Sequence, residues 1–157
     1  RITHKGRLAG VESEMEYFLR VCSALGDRRG PTLFQLPPNM KVDLPRLTEF
    51  LKLIPRRWQA TFEFRHPTWF NDAVYDVLKQ HDCAVCIADH DDFSTPLVAT
   101  AKWGYARLHR LVYDAAALAD WAGKLRAQPW EDLFVYFKHD EGEQSGPPAV
   151  DAFIGLL

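Results

Sequence analysis

The stretch TFEFRHPTWF, residues 61–70, begins as a buried strand and ends as a loop. Phe62 and Phe64 alternate with Glu63 and Arg65, and Pro67 closes the run just after His66. Side chains alternate across a strand, so Glu63 and Arg65 share one face and the two phenylalanines the other, and Glu63 is expected to hold the Arg65 guanidinium in place. A carboxylate and a guanidinium at the carboxyl end of an apolar strand mark the place to look for a site. His66, of opposite parity and followed by proline, is read as turning the chain into the loop.

The same alternation of short apolar runs and helical periods extends on both sides. Upstream, Val11, Met15, Phe18 and Leu25 recur at helical spacing with Gly26 as a stop, and PTLFQLPP is a short strand closed by prolines. Asp43 suits the cap of a helix carrying Leu44, Leu47, Phe50 and Leu51, with Pro45 in its first turn. Downstream, Phe70, Val74, Val77 and Leu78 form a helical stripe, and CAVCIAD (83–89), KWGYARLH (102–109) and DLFVYFK (132–138) read as strands. A helix is expected over 114–128, another over 147–157, and residues 90–101, broken by Pro96, as an irregular link. Strands separated by helices imply a parallel sheet and an α/β fold.

Parity at the strand ends separates two architectures. Tyr105, Arg107 and His109 align, as do Val85, Ile87 and Asp89, and Phe134, Tyr136 and Lys138, while Gln35 opposes Phe34 and Leu36. Polar residues thus gather at carboxyl ends on one parity while the other stays apolar. A TIM-type (β/α)8 barrel accounts for such a ring, because one parity of every strand lines its interior and its sites lie at those ends. A doubly wound sheet buries both parities under helices.

Composition narrows the function classes. With 157 residues and 47% hydrophobic content the chain is one globular domain's worth, and the formal net charge of −2 gives no global attraction to nucleic acid or anionic lipid. No apolar run is long enough to cross a bilayer. The absence of a signal-peptide layout and the odd count of three cysteines point to a cytoplasmic protein in a reducing compartment. Cys83 and Cys86 fall three apart in a strand, on opposite faces, and read as core thiols rather than a redox or zinc pair. The arginine pairs at 28–29 and 56–57 are explained by nearby helix C-termini.

The motifs ITHKGRL (2–8), LFQLPP (33–38), FEFRHPTWF (62–70), YARLH (105–109) and FVYF (134–137) resemble, in order and spacing, the YecE-like family, domain of unknown function 72. The resemblance implies a TIM-type barrel without an established reaction. It also implies that this chain corresponds to the fourth strand onward, a single domain over 1–157 with three strands upstream. Glu63, Arg65, Arg107 and His109 match the family pattern. Arg110 stands where the family usually has glycine, Lys138 and His139 where it has asparagines, and Asp151 where its final helix commonly has asparagine.

Three function classes follow. The first is an enzyme, a hydrolase, isomerase or lyase, on a phosphorylated, otherwise anionic or sugar-like small molecule. Arg65 and Arg107 would grip an anion through paired hydrogen bonds, His109 would transfer a proton near neutral pH, and Glu63 or Asp89 would orient it or act as base. Gln35, Lys138 and His4 complete the binding set. The second is a metal-dependent isomerase or hydrolase using Glu63, Asp89 and His109, with DHDD (89–92) and HDEGE (139–143) as further oxygen-rich donors for magnesium or manganese. The two arginines oppose a cation there, so no metal ligand is assigned; the sequence requires no cofactor and permits a divalent metal. The third is a non-catalytic binding module, with nucleic acid disfavoured because the tryptophans lack an interleaved basic stripe. The sequence leaves the oligomeric state open.

Overall fold

The computed structural model describes residues 1–138 and 146–156. Five strands, β1 (Thr32–Gln35), β2 (Ala60–Glu63), β3 (Ala84–Asp89), β4 (Trp103–Leu108) and β5 (Asp132–Phe137), form one parallel sheet in the order β1-β2-β3-β4-β5. The order never reverses, whereas a doubly wound sheet has a switch point. Five helices accompany it: α1 (Glu12–Ser23), α2 (Leu44–Leu51), α3 (Asp72–Gln80), α4 (Ala115–Arg126) and α5 (Pro147–Ile154).

Local chemistry explains the helix starts. The side chains of Asp43, Asn71 and Asp114 accept from the backbone N–H groups of Arg46, Val74 and Ala117, each three residues on, and proline occupies the first turn of α2 and α5. The expected cap at Asp43 and the helix opened by Asp114 are therefore present. His66 works in the same way on a smaller scale: its Nδ1 accepts from the N–H of Thr68 and starts the 3-10 turn Pro67–Trp69.

The two faces of the sheet differ in kind. Phe34, Leu36, Phe62, Phe64, Val85, Ile87, Ala106 and Leu108 belong to the same buried cluster as Leu47, Phe50, Val74, Leu78, Leu118 and Leu125 of the helices. The helices pack their apolar residues against this face, which is why this parity is apolar. Within it Phe64 stacks on Trp69 at 4.7 Å, and the Trp69 indole donates to the Met40 carbonyl at 2.7 Å. The opposite face carries a small cluster made of strand residues alone, Ala84, Cys86, Ala88, Trp103 and Tyr105, with Leu33 and Phe134 packed beside it.

This division corrects the reading of β3. Val85 and Ile87 were expected on the polar-ended face with Asp89, yet they lie under the helices. Register supplies the reason: Asp89 pairs with Leu108 and Ala88 with Arg107, and paired residues in neighbouring parallel strands share a face. The face of β3 turned away from the helices, its inner face, is Ala84, Cys86 and Ala88, all small, and Cys83 and Cys86 fall on opposite sides as expected.

Residues 90–101 form the expected irregular link, and it has definite work. Beyond Phe62 the register between β2 and β3 ends, so the carboxyl half of β3 loses a neighbour on that side. Thr95 takes its place, accepting from the N–H of Ala88 and donating its own N–H to the Ala88 carbonyl, while Thr100 accepts from the N–H of Val85. Arg29, read from its position as complementing a helix end, lies 3.7 Å over the Trp58 ring.

Candidate functional site

The carboxyl ends of the strands hold two buried carboxylates, one on each face. Glu63 ends β2 and is fully buried on the inner face. Gln35, its register partner on β1, donates Nε2 to Glu63 Oε1 at 2.8 Å, and Arg107 Nη1 of β4 donates to Oε2. Arg107 must cross β3 to make that bond. It can do so because the intervening inner residue beside it is Ala88, whose side chain occupies little of the space between them. Tyr105 is buried on the same face, and burial, Tyr136, Cys86 and Glu63 push its hydroxyl upward while Arg107 opposes them. Its ring lies 4.8 Å from that of Tyr136.

Asp89 ends β3 and is equally buried, but it faces α4. Trp121 Nε1 and Tyr113 Oη donate to its Oδ2 at 3.0 and 2.9 Å, and Arg110 grips both oxygens, Nη2 on Oδ1 at 2.9 Å and Nε on Oδ2 at 2.8 Å. The Asp89 backbone carbonyl accepts from the His109 N–H at 2.7 Å. Asp89 therefore ties β3 to the connection between β4 and α4, and the sheet itself separates its carboxylate from Glu63. The expectation that Glu63 and Asp89 would work on one side is corrected, and with it the donor set Glu63, Asp89 and His109 for a metal. Among the described residues no group of three or more histidine, cysteine or carboxylate side chains converges in a way that could hold a metal ion. The HDEGE stretch lies outside the described residues.

The other expected residues divide. His109 follows β4 and is half-buried, its imidazole pushed down from 6.5 to about 4 by burial first, then by Arg107, His90 and Lys138, with Glu63 acting in the opposite sense. At neutral pH it is an uncharged acceptor rather than an acid, which reverses part of the role expected of it. Lys138 follows β5, its N–H bonded to the Leu108 carbonyl, and is close enough to His109 to be felt electrostatically. Arg65 is exposed one residue beyond Phe64 and forms no hydrogen bond or ion pair with Glu63, whose partners are Gln35 and Arg107. An ion pair between Arg65 and Glu63, the simplest reading of their parity, is not made. His4 is exposed and bonds through Nδ1 to the Thr3 hydroxyl at 3.0 Å.

Sequence reasoning passed over His90 as a site residue. Its ring meets that of His109 edge-to-face at 5.0 Å, and its Nε2 is buried with no partner among the described residues. The only signal was its place in DHDD, where it was counted as a loop donor. A concavity of about 580 Å3 lies elsewhere, against β1 and α1; Ile2, Tyr17, Phe18 and Leu33 line it together with Arg1, Glu14 and Thr32, and none of the candidate residues does.

An α/β protein with a sequentially ordered parallel sheet and a polar cluster at its carboxyl ends is the class these features define. The family described as "Protein of unknown function DUF72" matches over residues 1–157, and the chain belongs to it. Its fold is similar to that of a DUF72 family protein from Thermotoga maritima, with a TM-score of 0.85 and 20% identity over 99% of this chain and 69% of that one. A DUF72 family protein from Enterococcus faecalis matches with a TM-score of 0.77 and 15% identity over 92% of this chain and 66% of that one. No curated protein matches the chain. No helix among the described residues is long and apolar enough to cross a membrane.

Proposed function

We infer that the five-stranded sheet is the C-terminal part of a TIM-type barrel, that the face bearing Glu63 is the barrel interior, and that its carboxyl end binds an anionic or sugar-like small molecule. The observation that carries this reading is the cluster Gln35, Glu63 and Arg107: three strands send polar side chains to one point of an inner face otherwise made of small and aromatic residues. The sequential strand order supports the barrel, as does the concavity beside β1, where a further strand would pair.

Glu63 is committed to Gln35 and Arg107, so its part is to hold the Arg107 guanidinium rather than to abstract a proton. Neutral His109 is the base of this site if chemistry follows binding. Arg65 supplies an unengaged guanidinium and Lys138 a further positive charge. Asp89 drops out of the catalytic set because its oxygens are filled from the helix side. The reading is tested with inorganic sulfate and with Arg65→Lys, which keeps the charge and loses the planar fork. Sulfate affinity of the full-length protein should fall about tenfold or more in the variant, by loss of a bidentate contact. Equal binding by parent and variant removes Arg65 from the site, and no binding by the parent overturns the anion reading.

A further inference from the structure

The inner site described above contains two imidazoles whose rings make no hydrogen bond among the described residues. His109 leaves the end of β4 and His90 the end of the neighbouring β3, so the strand pairing itself brings the rings together at 5.0 Å, edge to face. Both backbones are fixed: the His109 N–H is bonded to Asp89, and the His90 N–H to the Phe93 carbonyl at 2.7 Å in the turn that starts the link. The Cα atoms from which both rings project are thereby tied to the Asp89 carbonyl and to that turn. His90 Nε2 is nevertheless buried and unpartnered among the described residues, and leaving such an atom unbonded is costly unless something occupies it in use.

The charges that face His109 come from every neighbouring strand. Arg107 acts from β4, Lys138 from the end of β5 and His90 from the end of β3, all disfavouring a proton on the ring, and only Glu63 of β2 favours one. Burial first, and these charges after it, hold His109 uncharged. An anion seated among Arg107, Lys138 and the two rings offsets those charges and favours a proton on the ring against the effect of burial.

We propose that the ligand of this end of the sheet is an oxyanion taken up together with one proton, the anion contacting both His90 and His109 and the proton passing from solvent to the imidazole pair. This rests on the anion reading above and adds to it a second imidazole and a proton. By linkage, binding tightens as pH falls through the raised imidazole pKa of the complex and levels off once the free protein is itself protonated, near 4. The imidazolium so formed sits beside the anion, where it serves as a proton donor to a leaving oxygen if the ligand is an ester of that acid.

Sulfate, which does not change protonation in this range, is the probe. Calorimetric titration of the full-length protein near pH 6 in two buffers of different ionisation heat counts the protons, with an expected uptake of about one per sulfate. His109→Gln is expected to bind with almost no uptake, and His90→Phe, which keeps the ring and removes both nitrogens, to bind several-fold more weakly. Histidine C–H resonances followed by NMR should show one imidazole titrating near 4 without sulfate and about three pH units higher with it, the shift that uptake of about one proton near pH 6 requires. Sulfate bound with no proton uptake, or uptake unchanged in His109→Gln, overturns the proposal while leaving the anion site standing. Failure of sulfate to bind at any pH overturns the anion reading first and this one with it.

Discussion

Glu63 and Asp89 are matched in almost every respect that a sequence displays. Each is the last residue of its strand, each is fully buried, and each holds an arginine from the β4 region. They differ in which side of the sheet they face. Asp89 looks toward α4 and is saturated: Trp121, Tyr113 and both types of guanidinium nitrogen of Arg110 close around it. Glu63 looks toward the inner face, takes one donor on each oxygen, and stands beside the buried Thr61 hydroxyl, which has no partner among the described residues. A carboxylate under a helix is thus used as a fastening, while one at the mouth of an inner face orients a guanidinium that can meet a ligand.

Substitution separates the two roles. Asp89→Ala strands the Trp121 indole, the Tyr113 hydroxyl and Arg110 at once, and we expect it to cost about 3–5 kcal/mol, read from urea unfolding. Glu63→Gln should cost less, about 1–2 kcal/mol, because the amide still accepts from one neighbour and Arg107, 21% exposed, can turn to water. If Glu63→Gln proves the more damaging to stability, the contrast is wrong. Ala88→Leu fills the gap that Arg107 crosses; about 1–3 kcal/mol of overpacking is expected, with loss of sulfate binding beyond that of a variant of equal stability elsewhere. Trp121→Phe removes a single donor from Asp89 and should cost about 1 kcal/mol in unfolding while leaving sulfate affinity unchanged. A further effect concerns acid. Since His109 is depressed from 6.5 to about 4 when folded, the unfolded chain binds its proton first as pH falls. Stability attributable to His109 is therefore full above about pH 6.5 and is lost toward pH 4. His109→Gln should show a flatter decline than the parent over that window, and parallel curves would remove the perturbation.

Most of the scaffold was legible because each element announces itself locally. Capping residues at Asp43 and Asp114, helical stripes, and apolar runs closed by proline or glycine need no knowledge of distant partners. Parity along β1, β2, β4 and β5 was also readable, since each has bulky apolar residues on one side and polar ones on the other. β3 misled because both its faces are apolar: Val85 and Ile87 suit either side, and the conspicuous Asp89 drew the inner label to the wrong parity. Only the pairing of Asp89 with Leu108 decides it, and pairing is a property of two strands. Arg65 and Glu63 illustrate a second limit. Sharing parity made them appear partners, but β2 ends at Glu63, and the guanidinium that reaches it comes from two strands away over an alanine. His90 escaped notice because its position is set by a turn in the link, where no periodicity operates.

The strictly sequential strand order has a bearing on how this chain acquires its structure. Each strand needs as template only the one synthesised just before it, 19 to 29 residues earlier. Long-range closure, the step that slows many sheets, is postponed, and pairing can advance along the chain one βα unit at a time. Each newly added strand is briefly the growing margin, with its backbone groups awaiting the next. The Asp89 clamp then acts as a latch: Tyr113, Arg110 and Trp121 reach it only after β4 has been laid down. Until they arrive, a buried carboxylate without partners resists premature packing of the helix side over β3.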